Sequence, residues 1–233
     1  HIGVSGAGTM GNGIAQVCAV AGFQVTLIDI AQSALQKALA TVGKNLDRQV
    51  AKGSLSQEQK LAALDKINTS TDYASLHGVQ LVIEAATENL ELKLRLLQQA
   101  AAQVSAECVI ASNTSSLSIT QLAASVSHPE RFIGLHFFNP VPVMALIEVI
   151  RGLQTSDATH ALALDMAQRL GKTAITAGNR PGFVVNRILV PMINEAVLVL
   201  QEGLASAEDI DAGMRLGCNQ PIGPLALADM IGL

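Results

Sequence analysis

The sequence predicts an α/β fold, in which a mostly parallel sheet covered by helices is followed by a smaller all-α domain. From residue 1 to residue 150, short runs rich in Val and Ile alternate with longer helical segments. Such alternation is typical of strands joined by right-handed helical crossovers. Beyond residue 182 only helical segments follow. The change of pattern predicts two domains of different class.

The predicted strands are apolar on both faces, as expected for parallel strands buried between two helical layers. They cover residues 1–5, 24–28, 81–83, 108–112, 132–137 and 145–150. The predicted helices of this part cover residues 10–21, 32–52, 90–104 and 117–125. One more helix is expected after Ser56, because serine is a favoured N-cap.

A turn-rich segment, Gly178–Gly182, predicts the boundary between a first domain at 1–180 and a helical domain at 181–233. Within the second domain the predicted helices cover 183–202, 206–216 and the residues from 224 onward. We expect this domain to carry a dimer interface because segment 188–200 is rich in apolar residues. We also expect it to be incomplete at its C-terminus, since no closing helix follows Gly232.

Composition narrows the class of protein. A net charge of −4 argues against a nucleic-acid partner bound through its phosphates. The three cysteines are far apart and form no CxxC pair, so we expect no disulfide framework, no metal site and a cytoplasmic protein. Residues 2–28 lack charge but are interrupted by Gly, Ser, Asn and Gln, so neither a signal peptide nor a membrane span is predicted.

The first predicted strand runs directly into a glycine motif that opens a helix. In the pattern GxGxxG, Gly6 permits a tight turn, Gly8 lets the backbone approach a pyrophosphate, and Gly11 lets helix and strand pack closely. The helix N-terminus then offers unpaired N–H groups to the phosphates. The motif therefore predicts a Rossmann-type dinucleotide site. The expected cofactor-binding residues of the motif are Gly6, Gly8, Thr9, Met10 and Gly11.

Asp29 closes the second predicted strand, about twenty residues beyond the glycine motif, as in dinucleotide-binding βαβ units. Its carboxylate is expected to accept hydrogen bonds from the ribose hydroxyls and to repel a 2′-phosphate. No arginine occurs in Ile30–Gln32, the three residues that follow. The predicted cofactor is therefore NAD rather than NADP.

Ligands of open α/β sheets bind at the carboxyl ends of the strands. This rule nominates Glu88, just beyond the strand at 81–83, and Asn113, just beyond the strand at 108–112. Lys93 follows Glu88 by about one helical turn. We expect Glu88 and Asn113 to contact the cofactor.

His136 lies at the end of a predicted strand, with Asn139 close behind it. An imidazole there is a candidate general base, since histidine exchanges protons near neutral pH. Glu148, on the neighbouring predicted strand, could hold the histidine tautomer and stabilise the imidazolium. From spacing alone, however, a structural histidine is the more common interpretation.

The chain resembles the 3-hydroxyacyl-CoA dehydrogenase family over its whole length, and most resembles the short single-function members such as bacterial 3-hydroxybutyryl-CoA dehydrogenases. The matching strings are GAGTMG at 6–11, EAATEN at 84–89, SNTSSLSI at 112–119, HFFNPVPVM at 136–144, LIEVI at 146–150, RPGFVVNRI at 180–188 and IGPLALADMIGL at 222–233.

The resemblance implies roles for individual residues. Four residues correspond to NAD contacts of the family: Asp29, Glu88, Lys93 and Asn113. His136 corresponds to the catalytic histidine of the family and Glu148 to its partner acid. Ser115 corresponds to a serine that binds the substrate hydroxyl, Asn186 to an asparagine near the reacting carbonyl, and Asn139 to an asparagine beside the catalytic histidine. Because Asn186 is in the second domain, the resemblance also implies a substrate bound between the domains.

The resemblance further implies an acyl-CoA substrate, which basic residues of segment 32–52 would bind. Lys52 corresponds to a CoA-binding lysine of the family. Lys44 and Arg48 precede it at i, i+4 spacing and so share its helix face. The implied reaction is the NAD-dependent, reversible oxidation of a (3S)-3-hydroxyacyl-CoA to a 3-oxoacyl-CoA by a homodimer.

Two other interpretations stay open at this point. A β-hydroxyacid dehydrogenase acting on a substrate without CoA would also join a Rossmann domain to a helical domain. It would use a catalytic lysine in that second domain, where this sequence has Asn186. Alternatively, the fold could serve a non-catalytic NAD(H)-binding protein, because a fold does not fix a function.

Overall fold

The computed structural model describes residues 1–232, which form two compact units, residues 1–181 and residues 182–232. In the described part, the first unit contains one sheet. Its strands are β1 (Ile2–Ser5), β2 (Val25–Ile28), β3 (Ile67–Ser70), β4 (Leu81–Glu84), β5 (Val109–Ser112), β6 (Phe132–Phe137), β7 (Leu146–Arg151) and β8 (Thr173–Gly178).

The sheet has the order β3-β2-β1-β4-β5-β6-β7-β8. The first six strands in this order, from β3 at the edge to β6, pair in parallel. Strand β7 is antiparallel to β6, and β8 is parallel to β7. The strand order reverses beside β1, between β2 and β4. This reversal opens a crevice at the carboxyl edge of the sheet, where open α/β sheets bind ligands. The predicted mostly parallel Rossmann-type sheet is confirmed.

The helices of the first unit connect the strands. They are α1 (Thr9–Val20), α2 (Gln32–Ala51), α3 (Gln57–Asp65), α4 (Leu90–Ala101), α5 (Ile119–Ala123) and α6 (Asp157–Arg169). Ser56 caps α3 as predicted, accepting a hydrogen bond from Gln59 N at 3.1 Å, and the Gln59 side chain bonds back to Ser56 N. This reciprocal pair satisfies two backbone donors that the helix leaves unpaired.

Three elements were not predicted, and each carries a weak apolar pattern. Strand β3 buries only Ile67, and β8 buries only Ala177, because both lie at the edges of the sheet. Helix α6 buries Thr159, Ala163, Met166 and Ala167, in which small and polar residues replace the large aliphatic residues of a typical core face. Edge position and small side chains thus account for the omissions.

The core of the first unit is built from aliphatic side chains of β1, β2 and β4 to β7 and from the inner faces of α1, α2 and α6. Cys18 lies within it on α1, and burial raises the pKa of its thiol to about 12. Cys108 is also buried, and the same cause raises its pKa to about 11. Both thiols therefore stay protonated at neutral pH, which fits a packing role.

The second unit consists of α7 (Val185–Gln201), α8 (Ala207–Gly217) and α9 (Pro224–Ile231), with α9 packed against the other two. Asp211 of α8 fixes the start of α9, because its carboxylate accepts from Leu225 N at 2.8 Å and from Ala226 N at 2.9 Å. A carboxylate there also complements the positive end of the helix dipole. Within residues 1–232, none of the helices is long and apolar enough to cross a membrane.

Thr155 links the two antiparallel strands of the sheet. Its buried Oγ1 donates to Phe132 O at 2.7 Å, at the start of β6, and accepts from Gly152 N at 2.9 Å, just beyond β7. The substitution Thr155→Val keeps the shape but leaves both backbone groups unpaired. We expect it to lower the free energy of unfolding by about 1–3 kcal/mol, measured by urea denaturation.

Thr176→Val is the matched control for this experiment. Thr176 lies on the edge strand β8, is exposed, and bonds His160 Nε2 at 2.8 Å. Its replacement should change stability by less than about 0.5 kcal/mol. Equal losses in the two variants would contradict the role given to Thr155.

Candidate active site

The three glycines of the motif differ in the space that each leaves for a side chain. Gly6 has φ of +101°, and a Cβ on it would lie 2.5 Å from Ala86 Cα. A Cβ on Gly11 would lie 1.7 Å from Gly6 O. A Cβ on Gly8 would meet no atom within 4 Å. Gly6 and Gly11 are therefore required by the protein's own packing, whereas Gly8 leaves open the space that a pyrophosphate needs.

Asp29 is fixed at the end of β2 by backbone donors. Its Oδ2 accepts from Ala7 N at 2.9 Å, within the glycine motif, and its Oδ1 accepts from Ala31 N at 3.1 Å. The side chain is half-buried and faces the cavity beside the motif. The carboxylate is thus held where a ribose would lie in a bound dinucleotide.

A cavity of about 490 Å³ lies beside the glycine motif. One wall is the motif itself with the first turns of α1, and another is the segment Asn139–Pro142. The third wall is the face of α2 beside the core-facing one, formed by Ala34, Lys37, Ala38, Thr41 and Asn45. The cavity therefore combines phosphate-facing backbone, the Asp29 carboxylate and a polar helix face.

The segment that carries Asn139 is held by Lys172. Its ammonium group donates to Val141 O at 2.7 Å and to Met144 O at 2.6 Å. Partial burial lowers the pKa of Lys172, and nearby Cys18 opposes this shift. Sequence analysis missed this lysine because it lies about thirty residues away from the segment that it holds.

The loops after β4 and β5 are joined by Glu88. Its carboxylate accepts from Thr114 Oγ1 at 2.7 Å and from Ser115 N at 3.1 Å. Asn113, which precedes Thr114 in the chain, is buried, and its Oδ1 accepts a hydrogen bond from Phe137 N at 2.9 Å. The structure thus brings the predicted residues Glu88, Asn113 and Ser115 together at the carboxyl edge of β4, β5 and β6.

His136 and Glu148 face each other across the antiparallel strands β6 and β7. His136 Nδ1 lies 2.7 Å from Glu148 Oε2, and the side chains are 8% and 0% exposed. The carboxylate makes Nδ1 the donor, so Nε2 is the basic nitrogen of the neutral ring. The Phe138 ring contacts the imidazole, with 4.5 Å between centroids. This geometry allows the pair to take up and release a proton.

The other predicted site residues are placed differently. Lys93, which the family resemblance places at the cofactor, has a side chain that is 1% exposed, and its ammonium donates to Glu84 and Ser112. Lys44, Arg48 and Lys52 are exposed and do not line the cavity; α2 instead turns Lys37, Thr41 and Asn45 toward it. The i, i+4 spacing of Lys37, Thr41 and Asn45 is the sequence signal that could have identified the cavity-facing side of α2.

Three predicted residues remain. Thr9 is exposed and Met10 half-buried in the first turn of α1, where a helix leaves its backbone N–H groups without intrahelical partners. Asn186 belongs to the second unit, where it lies half-buried in the first turn of α7. Among residues 1–232, no group of three or more His, Cys, Asp and Glu side chains could hold a metal ion.

A dinucleotide fold whose carboxyl edge presents a buried His–Glu pair is the arrangement of a nicotinamide-dependent dehydrogenase. The family model described as the NAD binding domain of 3-hydroxyacyl-CoA dehydrogenase matches residues 1–180, and the model of its C-terminal domain matches residues 182–233. The chain therefore belongs to the 3-hydroxyacyl-CoA dehydrogenase family, and its cofactor is NAD.

Similar proteins match nearly the whole chain. A 3-hydroxybutyryl-CoA dehydrogenase of Bradyrhizobium diazoefficiens is 49% identical over 232 residues, which cover 100% of this chain and 79% of that protein. The mitochondrial hydroxyacyl-coenzyme A dehydrogenase of Homo sapiens is 43% identical and is covered to 76%. The crystal structure of an (S)-3-hydroxybutyryl-CoA dehydrogenase from Ralstonia eutropha superposes with a TM-score of 0.97 at 61% identity, covering 99% of this chain and 81% of that one.

The glycine geometry makes opposite predictions for two alanine variants. Gly11→Ala should destabilise the fold by about 3 kcal/mol or more, because its Cβ would overlap Gly6 O and force the turn apart. Gly8→Ala should keep the wild-type melting temperature, since its Cβ meets no atom. It should nevertheless weaken NADH binding by about ten- to a hundredfold, because the methyl group enters the pyrophosphate's space.

Thermal unfolding and NADH fluorescence titration measure the two effects separately. A Gly8→Ala protein that binds NADH as tightly as the wild type would contradict the phosphate-facing role of Gly8.

Proposed function

We propose that the protein catalyses the reversible reaction (3S)-3-hydroxyacyl-CoA + NAD⁺ ⇌ 3-oxoacyl-CoA + NADH + H⁺, with short-chain substrates such as 3-hydroxybutyryl-CoA. The observation that carries the proposal is the buried hydrogen bond between His136 and Glu148 at the carboxyl edge of the nucleotide-binding sheet. Membership of the family supports the acyl-CoA substrate, and similar proteins are named for the 3-hydroxybutyryl thioester.

In the proposed mechanism His136 is the general base. Its Nε2 accepts the proton of the substrate's C3 hydroxyl, and the reverse reaction returns it. Glu148 keeps Nδ1 protonated and stabilises the imidazolium that forms, and its burial strengthens that attraction. Bound NAD supplies the acceptor for the C3 hydride.

Ser115 and Asn186 are proposed to bind the C3 oxygen. Ser115 suits this role because its backbone N–H is held by Glu88, which directs the residue from the end of the β5 loop. Hydrogen-bond donors fixed in this way stabilise developing negative charge without reorganisation in the transition state. Asn186 is assigned by its position in the PGFVVNR string alone.

We propose that NAD is held by the glycine motif, with Asp29 on the ribose hydroxyls and with Glu88, Asn113 and Asn139 at the carboxyl edge. Lys52 is proposed to meet the phosphates of CoA. It is exposed just beyond α2, and among residues 1–232 no salt bridge involves it. Exposed lysines bind phosphates as point charges.

The alternatives raised by the sequence have less support. A β-hydroxyacid dehydrogenase would need a catalytic lysine in the second unit, where the PGFVVNR string has Asn186. A non-catalytic NAD(H)-binding protein would leave unexplained why a hydrogen-bonded histidine and glutamate lie at the carboxyl edge of the sheet, where ligands of such folds bind.

His136→Gln should lower turnover by about 10²–10⁴-fold, because general-base catalysis is worth that factor. NADH affinity should stay near that of the wild type, since the side chain acts on the substrate's proton. The measurement is the initial rate of NADH formation from NAD⁺ and 3-hydroxyacyl-CoAs of graded chain length, with NADH affinity measured separately by fluorescence.

Wild-type turnover with a chain-length optimum would support the proposed reaction. NADH binding without turnover on any of these thioesters would sink it. Unchanged turnover of His136→Gln would remove only the assignment of the base.

We further propose that the protein is a cytoplasmic homodimer with no nucleic-acid partner. Helix α7 exposes several aliphatic side chains, which a second copy of the chain would cover: Ile188, Val190, Val197, Leu198 and Leu200. An apolar surface of this kind commonly marks a protein interface.

Ile188→Asp should therefore shift full-length protein from dimer to monomer in sedimentation velocity, because the side chain is 66% exposed on α7 and a buried charge opposes association. Leu153→Asp is the matched control, since Leu153 is 85% exposed in the first unit. A monomeric wild type, or an unaffected dimer in the Ile188 variant, would count against this interface.

A further inference from the structure

The segment that joins β6 to β7, residues 138–145, contributes to the walls of two cavities. Its first half, Asn139–Pro142, lines the cavity of about 490 Å³ beside the glycine motif. Its second half, Pro142–Ala145, lines another cavity of about 400 Å³, which lies beside the C-terminal half of α1. A segment with open space along both halves has few packing contacts, so its position depends strongly on the contacts that it does make.

Apolar packing fixes this segment mainly at one residue. Of residues 138–145, all of which the structure describes, only Val141 is buried, whereas Val143 and Met144 are 74% and 40% exposed. The Val141 side chain lies against α1 at Gly13, where an added Cβ would be 2.8 Å from Val141 Cβ. Gly13 itself lines the cavity beside the glycine motif. Val141 therefore connects the segment directly to the wall of the cofactor cavity.

Lys172 supplies polar contacts to the same segment. Its ammonium donates to Val141 O at 2.7 Å and to Met144 O at 2.6 Å. Val143 N and Met144 N donate to Pro140 O at 2.9 and 3.0 Å, so residues 140–144 form one turn. The two carbonyl groups lie at either end of this turn. One charged side chain thus holds both ends, through hydrogen bonds that are stronger than neutral ones.

The backbone of Lys172 is itself well fixed. Its N–H donates to Ala167 O at 3.0 Å, at the end of α6. The next residue, Thr173, begins β8, and its N–H donates to Ala145 O at 2.7 Å. The ammonium is therefore presented to the turn from the junction of a helix and a strand.

We infer that Lys172 is a positioning residue for NAD. It holds the turn at 140–144 so that Asn139 and Val141 stay in the wall of the cofactor cavity. Lys172 lines the second cavity and is not among the described residues that line the first, so it acts on the cofactor through the segment. The inference rests on the placement of NAD proposed above and not on the identity of the substrate.

Two variants of this lysine test the inference. Lys172→Met keeps a long side chain but donates to neither carbonyl group. Lys172→Arg keeps the charge and the donors, because a guanidinium group presents several N–H groups in a planar fork. Lys60→Met is the matched control, since Lys60 is another partly buried lysine of the first unit, with a side chain that is 15% exposed and paired with Asp47.

The readout is the dissociation constant for NADH by fluorescence titration, with folding checked by circular dichroism and thermal unfolding. Lys172→Met should bind NADH at least about tenfold more weakly than the wild type, because the competent position of the wall is then less populated. Lys172→Arg and Lys60→Met should both bind NADH within about threefold of the wild type.

Ionic strength separates positioning from direct attraction between the ammonium and the phosphates of the cofactor. Salt screens the attraction between separated charges but has little effect on a turn held by partly buried hydrogen bonds. The dissociation constant of Lys172→Met relative to that of the wild type should therefore change by less than about twofold between about 0.05 and 0.5 M NaCl.

Three other outcomes contradict the inference. A folded Lys172→Met protein that binds NADH like the wild type, even with a lower melting temperature, would give Lys172 a structural role alone. A difference in affinity that disappears at high salt would make the lysine an electrostatic contact of the cofactor. An arginine variant as weak as the methionine variant would show that the two hydrogen bonds are not what NADH binding requires. Because NADH binding is measured without substrate, failure here is distinct from failure of the proposed reaction.

Discussion

The close approach of the turn at Gly6 to Ala86 is the constraint on which the nucleotide site depends. The two backbones belong to the loops after β1 and β4, which are neighbours in the sheet because the strand order reverses there. No side chain fits between them, so the motif is defined by contact between main chains. The glycine at position 6 is therefore a packing requirement before it is a ligand contact, and the ligand's space begins only at Gly8.

The second constraint is the reversal of strand direction at β7. A seventh parallel strand would require another crossover, whereas the antiparallel β7 lies beside β6 after a short connection. In this register Glu148 is directly opposite His136, and side chains paired across antiparallel strands lie on the same face of the sheet. Strand pairing within the sheet thus determines the position of the His136–Glu148 pair, whereas the residues proposed to contact NAD lie on loops.

Sequence reasoning located the glycine motif, Asp29 and the His136–Glu148 pair because each occupies a position that the fold itself defines. It did not predict the ion pair between Lys93 and Glu84, because a spacing of five residues from Glu88 does not say which helix face a side chain takes. The missing evidence was in the sequence: Lys93, Leu97 and Ala100 follow the spacing of a buried helical stripe, and Glu84 ends an otherwise apolar strand. No local sequence pattern indicated the hydrogen bonds from Lys172 to the carbonyl groups of residues 141 and 144, since these bonds depend on tertiary contacts.

Charge in this protein is buried in two places at the carboxyl edge, and the two pairs differ in kind. In the proposed mechanism His136 gains and loses a proton, so its contact with Glu148 has to tolerate both a neutral and a charged imidazole. Glu84 and Lys93 form a pair of opposite fixed charges whose oxygens are fully used by Ala86, Ser112 and the ammonium. A buried network that satisfies each of its members favours one geometry over its alternatives. The proposed mechanism therefore requires the first pair to change its protonation, whereas the second pair keeps fixed charges and hydrogen-bonds the loops around it.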